Sequence, residues 1–184
     1  MKIILSIILT LLALSNALIF AISYLFPYVQ PPVVQYVKPV INQEKQLYDL
    51  LNTIRTGDVN IEYLKLSFGN NEDTRGHYND HSITISKDLG VDDSRRTLAH
   101  EYLHFVWFEV MTEVDRTRLG DALNAAYAKD PDMQIRMDIY IQNGIFNDSE
   151  LFSIYCTEST DSYMLAIVQD CNKYIDRSKI VLTR

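Results

Sequence analysis

Residues 100–104 read His-Glu-Tyr-Leu-His, and this pattern says more about the chain than any other stretch. Side chains four positions apart lie on one face of an α-helix, so His100 and His104 can both reach a single zinc ion. Glu101 points about 100° away around the helix axis and does not reach the same ion. It can instead take a proton from a zinc-bound water. The pattern therefore predicts a catalytic zinc site with His100 and His104 as ligands and Glu101 as general base.

The residues around this pattern indicate a buried helix. No Gly or Pro occurs between Val91 and Leu119, and the apolar run 105–108 follows the second histidine directly. A helix that is apolar nearly all round is buried, and a His-Glu pair on it is costly without a metal or a partner. An ordinary core helix that carries two histidines is the alternative. Asp92 or Asp93 is expected to cap the helix.

The third zinc ligand is expected from a later helix. The metzincin peptidases extend the pattern with Gly and His at positions where this chain has Trp107 and Val110. That ligand set is therefore excluded. A Glu on a downstream helix is the remaining common choice of third ligand.

Residues 147–158 contain two carboxylates for this role, Glu150 and Glu158. Polar residues at 147–149 ahead of an apolar run are typical of a helix N terminus. Glu158 lies roughly 80° around that helix from Glu150. Glu150 is predicted to be the ligand. Glu158 is the alternative ligand, a carboxylate that orients a histidine, or a solvated surface charge.

At these residues the chain resembles the gluzincin metallopeptidases, most closely the anthrax lethal factor group. In them a downstream helix gives a Glu to zinc, and the stretch Glu-Leu-Phe-Ser at 150–153 is similar to their pattern. The resemblance covers residues 98–104 and 147–158. It implies a zincin-like fold, a small sheet before the active-site helix, and hydrolysis of peptide bonds. It also implies that Ser82–Ser86 is a sheet edge that pairs with extended substrate.

A peptidase of this kind also needs a donor for the oxyanion that forms at the scissile carbonyl, and a Tyr hydroxyl commonly supplies it. Tyr140, shortly before Glu150, is the predicted donor, and Tyr155 is a second candidate. The chain has 12 tyrosines, most of which are expected to serve packing.

The N-terminal segment predicts a membrane anchor. Residues 3–26 are almost wholly apolar, and no charge occurs between Lys2 and Lys38. As a helix the segment would be about 36 Å long, more than the ~30 Å hydrocarbon core. The alternative is a signal peptide cleaved after Ser15-Asn16-Ala17, which predicts a secreted protein. Residues 1–27 are thus a single-pass anchor or a signal peptide, with the catalytic domain outside the cytoplasm.

The rest of the chain divides simply. Residues 28–41 form a Pro-rich spacer, and 42–184 form one α+β domain in which few strands precede many helices. Two strands are predicted over Val59–Phe68 and His81–Ser86, with a hairpin turn at Asn79-Asp80 before the second. Helices are predicted over 42–56, 113–129, 132–142, 149–157 and 161–176.

Charge and cysteine content restrict the partners. The formal net charge of −7 argues against binding to nucleic acid and to anionic lipid. Cys156 and Cys171 form one disulfide if the domain lies outside the cytoplasm, and remain thiols otherwise. The sequence thus predicts a membrane-tethered zinc endopeptidase acting on a peptide or protein substrate. The alternative is a zincin-fold binding or regulatory protein without turnover.

Overall fold

A computed structural model describes residues 43–70, 74–159 and 165–180. The predicted anchor and spacer, residues 1–27 and 28–41, lie outside this part of the chain. Among the described helices, none combines the length and the apolar character that a membrane span requires.

The described residues form six α-helices and one three-stranded sheet, the α+β class that the sequence predicted. The helices are α1 (Gln43–Ile54), α2 (Val91–Phe105), α3 (Glu113–Tyr127), α4 (Pro131–Gln142), α5 (Asp148–Glu158) and α6 (Leu165–Tyr174). The strands are β1 (Lys65–Gly69), β2 (Gly76–Asn79) and β3 (Ser82–Ser86). A π-helical turn, Val106–Val110, follows α2, and a 3-10 turn, Arg177–Lys179, follows α6.

The strand order is β1-β3-β2, with β1 parallel and β2 antiparallel to the central β3. The predicted hairpin forms, but its turn lies one residue later than Asn79-Asp80. Asp80 and His81 have φ of 44° and 60°, as a two-residue turn between β2 and β3 requires. The expectation that Ser82–Ser86 is the sheet edge is wrong, because β3 is hydrogen-bonded on both sides. The two edge strands of the described sheet are β1 and β2.

The strand predicted over Val59–Phe68 forms only in its second half. Before β1 the chain turns instead: the Asn60 side chain accepts a hydrogen bond from the backbone N–H of Glu62 at 2.9 Å. The backbone N–H of Leu64 then donates to the carbonyl of Ile61 at 3.0 Å. Leu64 is still buried. The alternation of apolar and polar residues thus predicted its burial correctly, but not the conformation of the backbone.

The helix with the His-Glu-x-x-His pattern, α2, is central to the core, as predicted. It contacts β2, β3, α1 and α5, and its Tyr102, Leu103 and Phe105 are fully buried. The predicted cap is wrong, because the N-cap is Gly90 and no side chain caps the helix. Asp92 and Asp93 lie in its first turn, where their charges still favour the positive end of the helix dipole.

Two contacts hold the C-terminal helices together. A disulfide joins Cys156 of α5 to Cys171 of α6, with their Cα atoms 5.4 Å apart. The guanidinium of Arg118 on α3 donates two hydrogen bonds to Asp170 on α6, at 2.9 and 3.1 Å. The disulfide thus holds α5 near its C-terminal end, whereas the candidate site lies at its N terminus. The Arg118–Asp170 pair joins α3 to α6.

Candidate metal centre

The start of α5 fixes the backbone of Glu150. Asn147 is the N-cap, and its side-chain oxygen accepts a hydrogen bond from the backbone N–H of Glu150 at 2.9 Å. This cap satisfies one of the free N–H groups of the first helical turn. Glu150 therefore sits at the positive end of the helix dipole, which favours its ionised form.

The three predicted ligands come together where α5 meets α2. The Nε2 atoms of His100 and His104 lie 3.1 Å from Oε1 and Oε2 of Glu150, respectively. The two Nε2 atoms lie 3.2 Å from each other. The side chains are 15%, 13% and 12% exposed, so the group is nearly enclosed but open on one side.

The geometry of this group fits a zinc ion. Ligand atoms at roughly 2.0–2.1 Å from a tetrahedral zinc are separated from each other by roughly 3.3 Å. One ligand atom from each of the three residues lies within 4.8 Å of the other two. Two imidazoles and one carboxylate are a ligand set of catalytic zinc sites, which keep the fourth position open. The residues therefore match zinc in number, chemical type and spacing.

The two carboxyl groups at this site have opposite pKa shifts. Burial raises the pKa of Glu150, but its hydrogen bonds to His100 and His104 outweigh that effect and hold its pKa at about 2. Glu150 is thus ionised at neutral pH, as a metal ligand must be. Burial raises the pKa of Glu101, and the charges of the two histidines only partly oppose the rise.

Glu158, the alternative ligand, is engaged elsewhere. Its carboxylate accepts a hydrogen bond from the guanidinium of Arg136 on α4 at 3.0 Å. It lines the same cleft as the histidines, yet it does not belong to the group whose ligand atoms converge. The structure therefore groups Glu150, and not Glu158, with His100 and His104.

His100, His104 and Glu150 line a cleft of about 520 Å³. Tyr140 of α4 lines this cleft, and burial together with the nearby charge of Glu150 raises its pKa to about 12. Its hydroxyl thus stays protonated and can donate a hydrogen bond at neutral pH. Tyr155 is fully buried, and its hydroxyl donates to Asp130 at 3.3 Å, so it does not face the cleft.

Edge strand β2 forms another wall of the cleft through Gly76, His77 and Tyr78. A Cβ atom at Gly76 would lie 2.6 Å from the Thr97 methyl group and 3.2 Å from Cγ of Glu101. The absence of a side chain at position 76 therefore lets the strand approach Glu101 closely. At the other end of β2 the Tyr78 ring stacks on that of Phe108, with centroids 6.3 Å apart.

Sequence reasoning missed Ser149, Gly76 and His77 as parts of the site. Ser149 is buried, and its Oγ lies 2.7 Å from Nδ1 of His104. Its only sequence signal is its position next to the predicted ligand Glu150. Gly76 and His77 carry no local signal, because their place in the cleft follows from the strand order.

The protein-family models, the curated proteins and the solved structures with which the chain was compared contain no match to it.

Proposed function

We propose that the protein is a zinc-dependent endopeptidase of gluzincin type, in which His100, His104 and Glu150 hold the metal. The observation that carries this proposal is the convergence of their ligand atoms in an open cleft, with Glu101 on the same helix turn as His100. An ordinary core helix offers no reason for two imidazoles and a carboxylate to meet at the wall of a cleft.

The other residues of the cleft suit hydrolysis of a peptide bond. A bound zinc ion would polarise the scissile carbonyl and lower the pKa of a water molecule. Glu101 takes the proton of the attacking water and passes it to the leaving amine, and its raised pKa brings it closer to the range of an effective base at neutral pH. Tyr140 donates a hydrogen bond to the oxyanion through its protonated hydroxyl.

An extended peptide is the substrate that the edge strand beside the cleft favours. In the described sheet, β2 (Gly76–Asn79) is hydrogen-bonded only to β3, so its outer backbone groups face away from that strand. An edge strand that lines a cleft can bind a peptide through main-chain hydrogen bonds. Gly76–Asn79, rather than Ser82–Ser86, takes this role in the proposal.

The proposed location is outside the cytoplasm, on a membrane. The disulfide between Cys156 and Cys171 supports an oxidising compartment, since such bonds are rare in the cytosol. The apolar residues 3–26 support a tether, either an uncleaved anchor or, as the alternative, a signal peptide that leaves a secreted protein.

The test is to measure zinc content and peptide cleavage on the full-length chain, comparing wild type with Glu101→Gln. Elemental analysis is expected to find zinc in both proteins, because Glu101 is not a ligand. Cleavage of a random peptide library, read by mass spectrometry, is expected to fall by about 10²–10⁴ in the variant. The control is Glu62→Gln, which changes an exposed carboxylate in the turn before β1 and should leave both readings unchanged.

Two results would contradict the proposal in different ways. Wild-type protein that contains zinc but cleaves no library peptide would favour the alternative of a binding or regulatory protein. Cleavage by Glu101→Gln at the wild-type rate would show that hydrolysis does not use this carboxylate.

A further inference from the structure

The Ser149 hydroxyl contacts His104, one of the three candidate metal ligands. Ser149 is only 2% exposed, and its Oγ lies 2.7 Å from Nδ1 of His104. The Nε2 atom of the same ring faces Oε2 of Glu150 at 3.1 Å. Two consecutive residues of α5 therefore contact both nitrogens of one histidine of α2.

The chemistry of the imidazole ring gives this contact its consequence. A neutral histidine carries one proton, and only the nitrogen without it can bind a metal. A hydrogen bond from Nδ1–H to an acceptor keeps the proton on Nδ1 and leaves Nε2 bare. The Ser149 hydroxyl can accept that bond. Because the pair is buried, water competes little with it, and the ring orientation is also fixed.

The local structure holds Ser149 in place for this contact. It lies in the first turn of α5, between the N-cap Asn147 and Glu150, whose backbone N–H donates a hydrogen bond to the Asn147 side chain. The same cap that fixes the backbone of Glu150 thus fixes the backbone of Ser149.

We propose that Ser149 is a positioning residue, which selects the Nδ1–H form of His104 and aims its Nε2 at the metal. This inference rests on the proposed metal site and adds a residue that acts through a ligand rather than on the metal. Loss of such a partner typically weakens metal binding about 10–100-fold.

The experiment measures zinc affinity of the full-length chain by competition with a chromophoric chelator. Ser149→Ala is expected to bind zinc about 10–100-fold more weakly than wild type. Ser149→Thr keeps the hydroxyl and should retain most of the affinity. The matched control is Ser153→Ala, one turn later on α5, whose buried hydroxyl has no hydrogen-bond partner among the described residues. That variant should bind zinc like wild type.

NMR of the His104 ring distinguishes a positioning role of Ser149 from a general effect on folding. In zinc-loaded protein labelled with ¹⁵N at histidine, wild type should show a slowly exchanging Nδ1 proton on His104. Ser149→Thr should keep this signal and Ser149→Ala should lose it, while Ser153→Ala keeps it.

The outcomes distinguish this inference from the proposed function. Wild-type affinity in Ser149→Ala, or an equal loss in Ser153→Ala, would overturn the role of Ser149. So would a folded Ser149→Thr that binds as weakly as a His104→Ala control. If His104→Ala itself binds zinc like wild type, the metal site is wrong and the proposed function fails with it.

Discussion

At the scale of single residues, the site places two carboxyl groups beside the same histidines and gives them different properties. Glu150 forms hydrogen bonds with both rings, and its pKa falls to about 2 in spite of burial. Glu101 is buried, makes no such contact, and its pKa is raised. A permanently ionised group suits a ligand, whereas a group with a raised pKa suits proton transfer. The surroundings of each carboxyl group thus fit the role that the sequence pattern predicts for it.

The hydroxyl of Tyr140 is expected to contribute to catalysis and not to zinc binding. Tyr140→Phe removes a hydroxyl that, with a pKa of about 12, is protonated at neutral pH and can donate to an oxyanion. Because this bond forms in the transition state, kcat is expected to fall about 10²–10³-fold while KM changes little. Steady-state kinetics on a cleaved library peptide measures both constants, and zinc content should not change.

Tyr155→Phe is the matched control for this prediction. It removes a buried hydroxyl that contacts Asp130, so it should lower stability and leave kcat close to wild type. If both variants keep the wild-type kcat, Tyr140 is not the oxyanion donor.

At the scale of secondary structure elements, the cleft depends on how closely β2 approaches α2. Gly76→Ala would place a Cβ 2.6 Å from Thr97 and 3.1 Å from Ile85, both side chains of the packed interior. The strand must then move, at an expected cost of about 1–3 kcal/mol in the free energy of unfolding. The same movement alters the cleft beside Glu101, so kcat/KM should fall as well. Denaturant unfolding and cleavage kinetics measure the two effects.

Gly90→Ala is the control for Gly76→Ala. It adds the same methyl group next to α2, but no heavy atom lies within 4 Å of the new Cβ. Activity should therefore stay at the wild-type level. Full activity in Gly76→Ala as well would show that the close approach is not needed for function.

The sequence predicted those elements whose signals are local. The α5 start was predicted from the polar residues 147–149, and the first of them, Asn147, caps the helix. Pro131 opens α4, and the predicted bounds of that helix differ from the structure by one residue. The pairing of β1 with β3 was not predictable in this way, because β2 lies between them in the chain. Such a pairing depends on residues far apart in the chain, and so does the choice of edge strand.

The candidate site shows the same division. The spacing of His100 and His104 on one helix predicted that their rings share a face, and the structure agrees. Glu150 required a pattern on a second helix, and the sequence left Glu158 as an alternative. Ser149 was missed, because its bond to His104 joins residues 45 positions apart. Its serine hydroxyl has no distinctive sequence pattern.

At the scale of the whole molecule, the disulfide joins the helix that carries Glu150 to α6. Cys156 lies on α5, the helix that starts next to the proposed ligand Glu150, and Cys171 lies on α6. The loop between them spans 15 positions. For a loop of that size the chain-entropy model gives a stabilisation of about 3 kcal/mol. Because the bond acts on the helix that carries Glu150, its loss should also reach the metal centre.

Removal of this disulfide is expected to affect both stability and zinc binding. In full-length protein, Cys156→Ala/Cys171→Ala should lower the free energy of unfolding by about 3 kcal/mol relative to oxidised wild type. The comparison must be made in the presence of a chelator, since bound zinc stabilises the folded state by itself. Zinc affinity, measured separately, should also fall, because α5 is then less firmly held.

Thiol titration of unfolded, unreduced protein shows whether Cys156 and Cys171 are bonded to each other. Freshly isolated wild type should expose no reactive thiol, and reduction before unfolding should lower its stability toward that of the double variant. Two reactive thiols in fresh material would mean that the bond does not form in the cell. That result would also remove the support that the cysteines give to an extracytoplasmic domain, because an oxidising compartment would have closed so favourable a pair.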